Sequence, residues 1–540
     1  MLHRPALANP INATYLDVMN HPLSPGIAGP LLAALLLAAV LLPANLAADE
    51  TEGPPNVLFV ISDDQSWLHA GAYGYDAART PAFDRIAAEG VLFEQAFAPT
   101  PGCSPTRAAI LTGRNHWQIE HAGTHASTFP RTYEVFPDRL EQAGYFIGMT
   151  GKGWSPGNSE GWERNPAGPN FRGATYSEGF RRFLDQRPED RPFLFWFGSR
   201  EPHPGTIRAN RGSGVEAGFD LDAIVVPPFL PDVPEVRSHI ADYLRMIEIY
   251  DEQLGLVLTM LEEAGELDNT LIFVTSDHGM GFPRAKANLY EYSTRVPLAV
   301  RWGGEIPGGR TVSDLVNLID LTATIYEATG VEPPQAHPIA GRSLLDLLRG
   351  DGEGLVEPER DAVFCGRERH TSARHDNLAY PMRSVRTHEF LYIRNLKPDR
   401  WPAGAPRALR EDGELGPITH GGNAFADIDD SPSKTFIIAN RDHPEYREFY
   451  LRSVGKRPAE ELFDIRKDPG CLNNLAADPD YAEVRAELAV RLDAYLTETG
   501  DPRVVGPDPD IFESYRRYSP MREFLAPGDE PAGWENIVVP

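Results

Sequence analysis

Residues 56–64 read Asn-Val-Leu-Phe-Val-Ile-Ser-Asp-Asp (NVLFVISDD). The run before the acids has no polar alternation. It reads as a strand buried on both faces, the pattern of a parallel sheet covered by helices. Asp63 and Asp64 sit at its carboxyl end. Two later runs repeat the design: Phe193–Phe197 (FLFWF), and Leu271–Val274 leading into Thr275-Ser276-Asp277-His278. Between them, Phe83–Glu89 and Ala241–Ala264 place apolar residues at three- and four-residue steps, which predicts helices. Strands alternating with helices imply an α/β domain with a mostly parallel sheet sandwiched by helices, spanning residues 52–360. Such sheets bind ligands beyond the carboxyl ends of their strands, where both acidic clusters fall. After about residue 360, Ala362–Cys365, Phe390–Ile393 and Phe436–Ala439 predict strands of a second sheet and Tyr481–Thr497 a closing helix. Residues 361–540 are therefore expected to form a smaller α+β subdomain with a short antiparallel sheet.

The 540 residues are 41% hydrophobic and 24% charged, which suits a globular chain too long for one core. A formal charge of -27 argues against nucleic acid or anionic membrane as partners, since both would be repelled. An anionic substrate needs a locally positive pocket. Residues 367–410 hold ten Lys/Arg against four Asp/Glu, which nominates Arg367, Arg369, His370 and Arg383 as substrate-binding groups. The competing reading is an arginine-rich interdomain face. A short basic window on a repelling body points to exo-action on small fragments.

Residues 31–42 (LLAALLLAAVLL) end at Pro43 and a small-residue stretch. The run is short for a bilayer span and matches the apolar part of a secretory signal, residues 1–48, with periplasmic or secreted destination. Translation from Met19, or a retained membrane anchor, are the alternatives. Of the three cysteines, Cys365 and Cys471 are open to pairing or to remaining free, and no disulfide framework is implied.

Asp63, Asp64 and Asp277 on strand ends would repel one another without a cation. Hard oxygens favour Ca²⁺ or Mg²⁺, and His278 as a nitrogen ligand also tolerates Mn²⁺. An isolated Asp pair otherwise reads as a helix cap or solvated turn. The deciding segment is Cys103-Ser104-Pro105-Thr106-Arg107, followed by Leu111-Thr112-Gly113-Arg114. This pattern resembles the signature of type I sulfatases, members of the alkaline phosphatase superfamily. There the cysteine becomes formylglycine, a residue that also joins the metal ligands. Thr106 stands where serine is commoner, keeping a hydroxyl.

The resemblance extends over nearly the whole chain after residue 48. Gly144–Lys152, Glu201-Pro202-His203 and Asp277–Pro297 follow in the family's order, with Lys286 ahead of Tyr290-Glu291. Tyr380–Val385, Glu461–Asp464, Asn474–Ala476 and, weakly, Glu498–Arg503 are similar to the branch containing heparan N-sulfatase and its bacterial relatives. The resemblance implies an alkaline phosphatase-like fold and a catalytic set of Cys103, Arg107, Lys152, His203 and Lys286. It implies metal held by Asp63, Asp64, Cys103, Asp277 and His278, a sulfated saccharide as substrate, and a formylglycine-generating or other maturation enzyme as partner. In that chemistry the hydrated aldehyde is the nucleophile, the cation a Lewis acid, the lysines hold sulfate oxygens and His203 protonates the leaving group. Taken singly, Lys152 and Lys286 read as surface charge and His203 as a loop histidine; their order along one chain reverses that.

One departure stands out. Many sulfatases read Gly-Lys-x-His where this chain has Gly151-Lys152-Gly153-Trp154. His116, His121 and His125 are candidates to replace the missing histidine, with His125 chosen. Two other activities stay open: a phosphonate monoester or phosphodiester hydrolase of the same superfamily, or a non-catalytic glycan-binding homologue.

Overall fold

In the computed structural model, which describes residues 53–418 and 423–539, alternate side chains of the central strand Asn56–Ser62 leave the sheet on opposite faces. Both faces are apolar. Val57, Phe59 and Ile61 enter one core with Ile110 and Leu111 of helix Cys103–Thr112, Phe136 and Leu140 of helix Phe136–Gln142, and Leu321 and Ile325 of helix Ile319–Thr329. Leu58 and Val60 enter another with Phe83 and Ile86 of Pro81–Glu89, Phe180 and Phe183 of Tyr176–Leu184, and Leu254 and Leu258 of the 30-residue helix Pro234–Glu263. Phe59 stacks on Trp196 of the neighbouring strand, centroids 4.8 Å apart. The expected leader, residues 1–48, lies outside the described residues. Among those described, no helix is long and apolar enough to cross a membrane.

The large sheet has seven strands. Phe146–Gly151, Phe193–Gly198, Asn56–Ser62 and Thr270–Ser276 lie side by side and parallel. Leu298–Arg301 then runs antiparallel to Thr270–Ser276, followed by Val91–Phe93 and Arg310–Val312. The four parallel strands deliver Lys152, Ser199, Asp63 and Asp277 to one edge. This confirms the mostly parallel α/β architecture expected from the apolar runs.

The small sheet is antiparallel: Ala362–Arg367, Met382–Thr387, Phe390–Asn395, Glu460–Asp464. Helix Ala482–Glu498 closes it, setting Leu488, Leu492 and Leu496 against Val385, Tyr392 and Leu462. Gly53–Pro540 is one compact unit, within which the chain passes from large to small sheet near residue 360. One expected strand is not there. Phe436–Ala439 ends a helix, Pro432–Ala439, whose Ser431 side chain accepts from Lys434 N–H and whose first residue is proline, both strong helix-start features. Its Ile437 and Ile438 pack in the core shared with helix Pro234–Glu263, and that burial outweighs the strand preference of a Phe-Ile-Ile run. Glu460–Asp464 is the fourth strand instead. Cys365 and Cys471 are buried free thiols; burial pushes the Cys365 thiol up to about 12.

Candidate active site

Cys103 is the first residue of helix Cys103–Thr112, after Gly102, at the positive end of the helix dipole. Thr106 fixes this turn by donating its hydroxyl to Thr100 O at 2.5 Å. One potential ligand atom from each of Asp63, Cys103, Asp277 and His278 lies within 4.8 Å of the other three, and all four residues are buried. Thus four of the five expected metal ligands converge. Asp64 borders them: its Oδ1 stands 3.0 Å from His278 Nε2, and its backbone N–H donates to Asp277 Oδ1. Asp64 adopts a left-handed φ of 75°, which turns the chain sharply after Asp63.

Each carboxylate has a cation. Lys152 Nζ donates to both oxygens of Asp63, at 2.7 and 2.6 Å. Lys286 Nζ donates to Asp64 Oδ2. Arg107, fully buried, donates through Nε to Asp277 Oδ2 at 2.8 Å and through Nη1 to Lys152 O at 2.7 Å. Burial raises the Asp63 and Asp64 carboxyls. Lys152, His203 and Arg107 together outweigh it at the first, and Lys286, His278 and His203 together at the second, so both are held well below the ordinary carboxylate range. Asp277 goes the other way: burial and then Asp63 raise it despite Arg107. Burial lowers Lys152 and Lys286, but the negative groups around them, Asp63 foremost at the first and Asp64 with Asp429 at the second, together reverse that and keep both lysines charged.

This donor set fits a hard divalent cation. His278 Nδ1 pairs with Gly279 O at 3.0 Å, an arrangement that leaves the Nε2 lone pair facing Asp64 Oδ1. Neither of those atoms makes a hydrogen bond. Two buried lone pairs at that distance require a proton or a cation between them. Three carboxylates and one imidazole suit Ca²⁺, Mg²⁺ or Mn²⁺.

His203 stands beside the cluster, near enough for its charge to act on both Asp63 and Asp64. Its Nδ1 accepts from Gly205 N–H at 3.0 Å, so the neutral ring carries its proton on Nε2. Trp154 does not take the place of a histidine: its indole is buried against Phe129, centroids 5.3 Å apart. Of the three nearby histidines, His116 packs on Trp117 and Gly366, and His121 stacks on Tyr515. His125 alone approaches the cluster. Its ring lies 4.6 Å from that of His370, whose Nδ1 is 3.7 Å from where a Cβ on Gly102 would stand. Both rings are depressed by burial, and Lys286 adds to this at each. The Ala126 N–H donates to Ser104 Oγ, tying the His125 loop to the Cys103 helix.

The arginines of the basic window are engaged elsewhere. Arg383 is wholly buried, donating to Asp501 at 2.5 Å and Glu368 at 2.8 Å. Arg367 and Arg374 share Asp427, each at 2.6 Å. Arg369 donates to Tyr515 O and Thr124 Oγ1. Of the four nominated groups, only His370 reaches the cluster; the three arginines pin loops together. The sequence reading missed Asp429, 3.6 Å from Lys286 Nζ, and Arg517, which donates to His370 O at 2.7 Å. Neither belongs to a recognisable motif.

Residues 55–331 match the family model described as Sulfatase, and residues 279–401 that described as N-sulphoglucosamine sulphohydrolase, C-terminal. The chain is 30% identical over 502 residues to N-sulphoglucosamine sulphohydrolase of Homo sapiens, covering 84% of this chain and 92% of that protein. A solved structure of a protein in complex with its substrate D-glucosamine-2-N,6-O-disulfate superposes with TM-score 0.57 at 21% identity, covering 85% of this chain and 99% of that one. A phosphonate monoester hydrolase of Agrobacterium radiobacter superposes with TM-score 0.58 at 21% identity, covering 84% and 97%. These two likenesses establish a shared fold.

Proposed function

We propose, since this chain belongs to the sulfatase family, that it removes sulfate from sulfated sugars and that its substrate carries the N-sulfate of glucosamine. The carrying observation is the convergence of Cys103 with Asp63, Asp277 and His278 in one buried cluster, flanked by two charged lysines. The N-sulfate preference is supported by the similarity to the human sulphohydrolase over most of both chains. A divalent cation, which we take to be Ca²⁺, and a formylglycine made from Cys103 by a maturation enzyme would supply the Lewis acid and the nucleophile.

The chain's own side chains do the rest. Asp63, Asp64, Asp277 and His278 would hold the cation, with Arg107 fixing Asp277 and the Lys152–Gly153 backbone so that neither can drift. Lys152, Lys286 and Arg107 offset the three carboxylates, so the charge that a divalent cation would bring would remain available to attract a sulfate oxygen. His203, with its proton on Nε2, donates to the departing amine or alcohol. His125 and His370 border the same space without partners on Nδ1 and take over sugar or sulfate contacts that Trp154 cannot make. Export through the leader at residues 1–48 completes the proposal.

The test compares sulfate release from N-sulfoglucosamine and from glucosamine 6-O-sulfate with hydrolysis of a matched phosphonate monoester to phosphonate and alcohol, all by matured, Ca²⁺-loaded enzyme. The expected order has the N-sulfate ahead by about tenfold or more, about 1.4 kcal/mol of discrimination. Fastest turnover of the phosphonate would reassign the protein within its superfamily.

A further inference from the structure

Away from the catalytic cluster, between the loop that carries Lys286 and the strand Glu460–Asp464, lies a cavity of about 370 Å³ whose wall includes Arg284, Lys456, Arg457, Glu461 and Asn474. Arg284 and Arg457 are only 2% and 4% exposed. Every hydrogen-bond acceptor they have among the described residues is neutral: Arg452 O and Cys471 O for Arg284, Asn288 Oδ1 for Arg457. Arg457 Nε and Nη2, and Arg284 Nε, have no partner at all. The Tyr290 ring lies 4.2 Å from one guanidinium and 5.0 Å from the other. Cation–π attraction of this kind offsets only part of the cost of burying two charges. The one carboxylate on the wall, Glu461, already accepts from Tyr290 Oη and Asn395 Nδ2, both at 2.8 Å. Lys456 adds a third cation and is 3.5 Å from Glu530.

We propose that this cavity binds a free tetrahedral oxyanion, inorganic sulfate or phosphate. Nε and Nη2 form one edge of the Arg457 guanidinium, two parallel N–H donors that match two oxygens of such an ion. Arg284 Nε, also without a partner, is left for a third oxygen. The volume is at the small end for ligand pockets, which fits a bare ion better than a sulfated sugar.

The site is wired to the catalytic loop. Arg457 Nη1 donates to Asn288 Oδ1 at 2.9 Å, and Asn288 Nδ2 donates to Arg284 O at 2.7 Å and Lys286 O at 3.1 Å. That turn holds two non-glycine residues in left-handed backbone, Arg284 at φ 67° and Ala287 at φ 57°, a conformation that needs outside support. A bound oxyanion braces the turn that brings Lys286 to Asp64. This consequence rests on the sulfatase reading; the binding does not.

Thermal unfolding of the metal-loaded protein, with phosphate or sulfate replacing chloride at constant ionic strength, tests the site. In a Lys152→Ala background, which weakens anion binding at the catalytic cluster, the midpoint is expected to rise by about 2–3 °C at one hundred times Kd. The rise is expected to vanish in Arg457→Met. No rise in the first protein, or an undiminished rise in the second, overturns the proposal. If Arg457→Met fails to fold, crystals of the wild-type protein soaked in selenate decide. Anomalous density hydrogen-bonded to Arg457 Nε supports the site, and only water there overturns it.

Discussion

Replacing Arg383 by Met separates a structural pin from a substrate ligand. The guanidinium is fully buried and donates to Asp501 through Nε and Nη2, to Glu368 through Nη2, and to Met382 O and Arg367 O through Nη1. No donor remains for a sugar. Glu368 keeps Arg503, at 2.6 Å, when Arg383 is lost. Asp501 keeps only the Arg503 backbone N–H, so its carboxylate is left buried and unpaired. Breaking a buried pair in this way costs about 3–5 kcal/mol, a large share of the 5–15 kcal/mol typical of whole proteins. For a chain of 540 residues the entropy of unfolding converts each kcal/mol into roughly 1 °C, so the midpoint is expected to fall by about 3–5 °C. Adding Asp501→Asn is expected to recover part of the loss, because the stranded charge disappears. The KM for a sulfated sugar, measured on the folded fraction, is expected to stay within about twofold. An unchanged melting temperature with a KM raised about tenfold would show the opposite: a guanidinium that holds substrate.

Asp277→Asn is expected to lower bound metal and turnover together, since it removes a ligand and also releases Arg107; an unaltered metal content by elemental analysis would exclude it as a ligand. His203→Gln is expected to cut kcat by about 10²–10⁴-fold for amine and alkoxide leaving groups while sparing substrates with acidic phenol leaving groups, which need no protonation. Equal losses on both would remove it as the proton donor. Acidification tests two buried histidines that are not members of this cluster. Burial depresses both His69 and His239 to about 3. Their neutral forms stabilise the fold fully above the unfolded value near 6.5, and that contribution is lost as pH falls toward the folded one. At pH 5 the loss is about 2 kcal/mol for each. His239→Gln, which keeps a partner for Ser433, is expected to flatten the fall in melting temperature between pH 7 and pH 5, and an unchanged slope would contradict the assignment.

Much of the fold was legible because fully buried strands need unbroken apolar runs. Asn56–Ser62 and Phe193–Phe197 have no other comfortable place, and the acids at strand ends mark the sheet edge where ligands bind. The cluster followed from that edge: Asp63, Asp277 and Lys152 are carried there by strands whose order the chain only implies. Two features were not legible. Phe436–Ala439 looks like a strand by residue type, and only the cap at Ser431 and the core beside helix Pro234–Glu263 decide for a helix. The basic window shows its cations but hides their partners: Asp427 is 60 positions from Arg367, and Asp501 is 118 from Arg383. Long-range pairing turned an apparent anion pocket into an internal lattice of ion pairs. Asp429 and Arg517 were invisible for the same reason, since each acts through a neighbour distant in the chain.

The most direct measurement is the mass of the peptide spanning residue 103, taken alongside turnover, in protein expressed with and without a formylglycine-generating enzyme. The expected result is that turnover rises in proportion to the fraction of chains carrying an aldehyde in place of the thiol, and is absent in Cys103→Ala, which folds normally. Full turnover by chains whose Cys103 thiol is intact would mean that the nucleophile lies elsewhere.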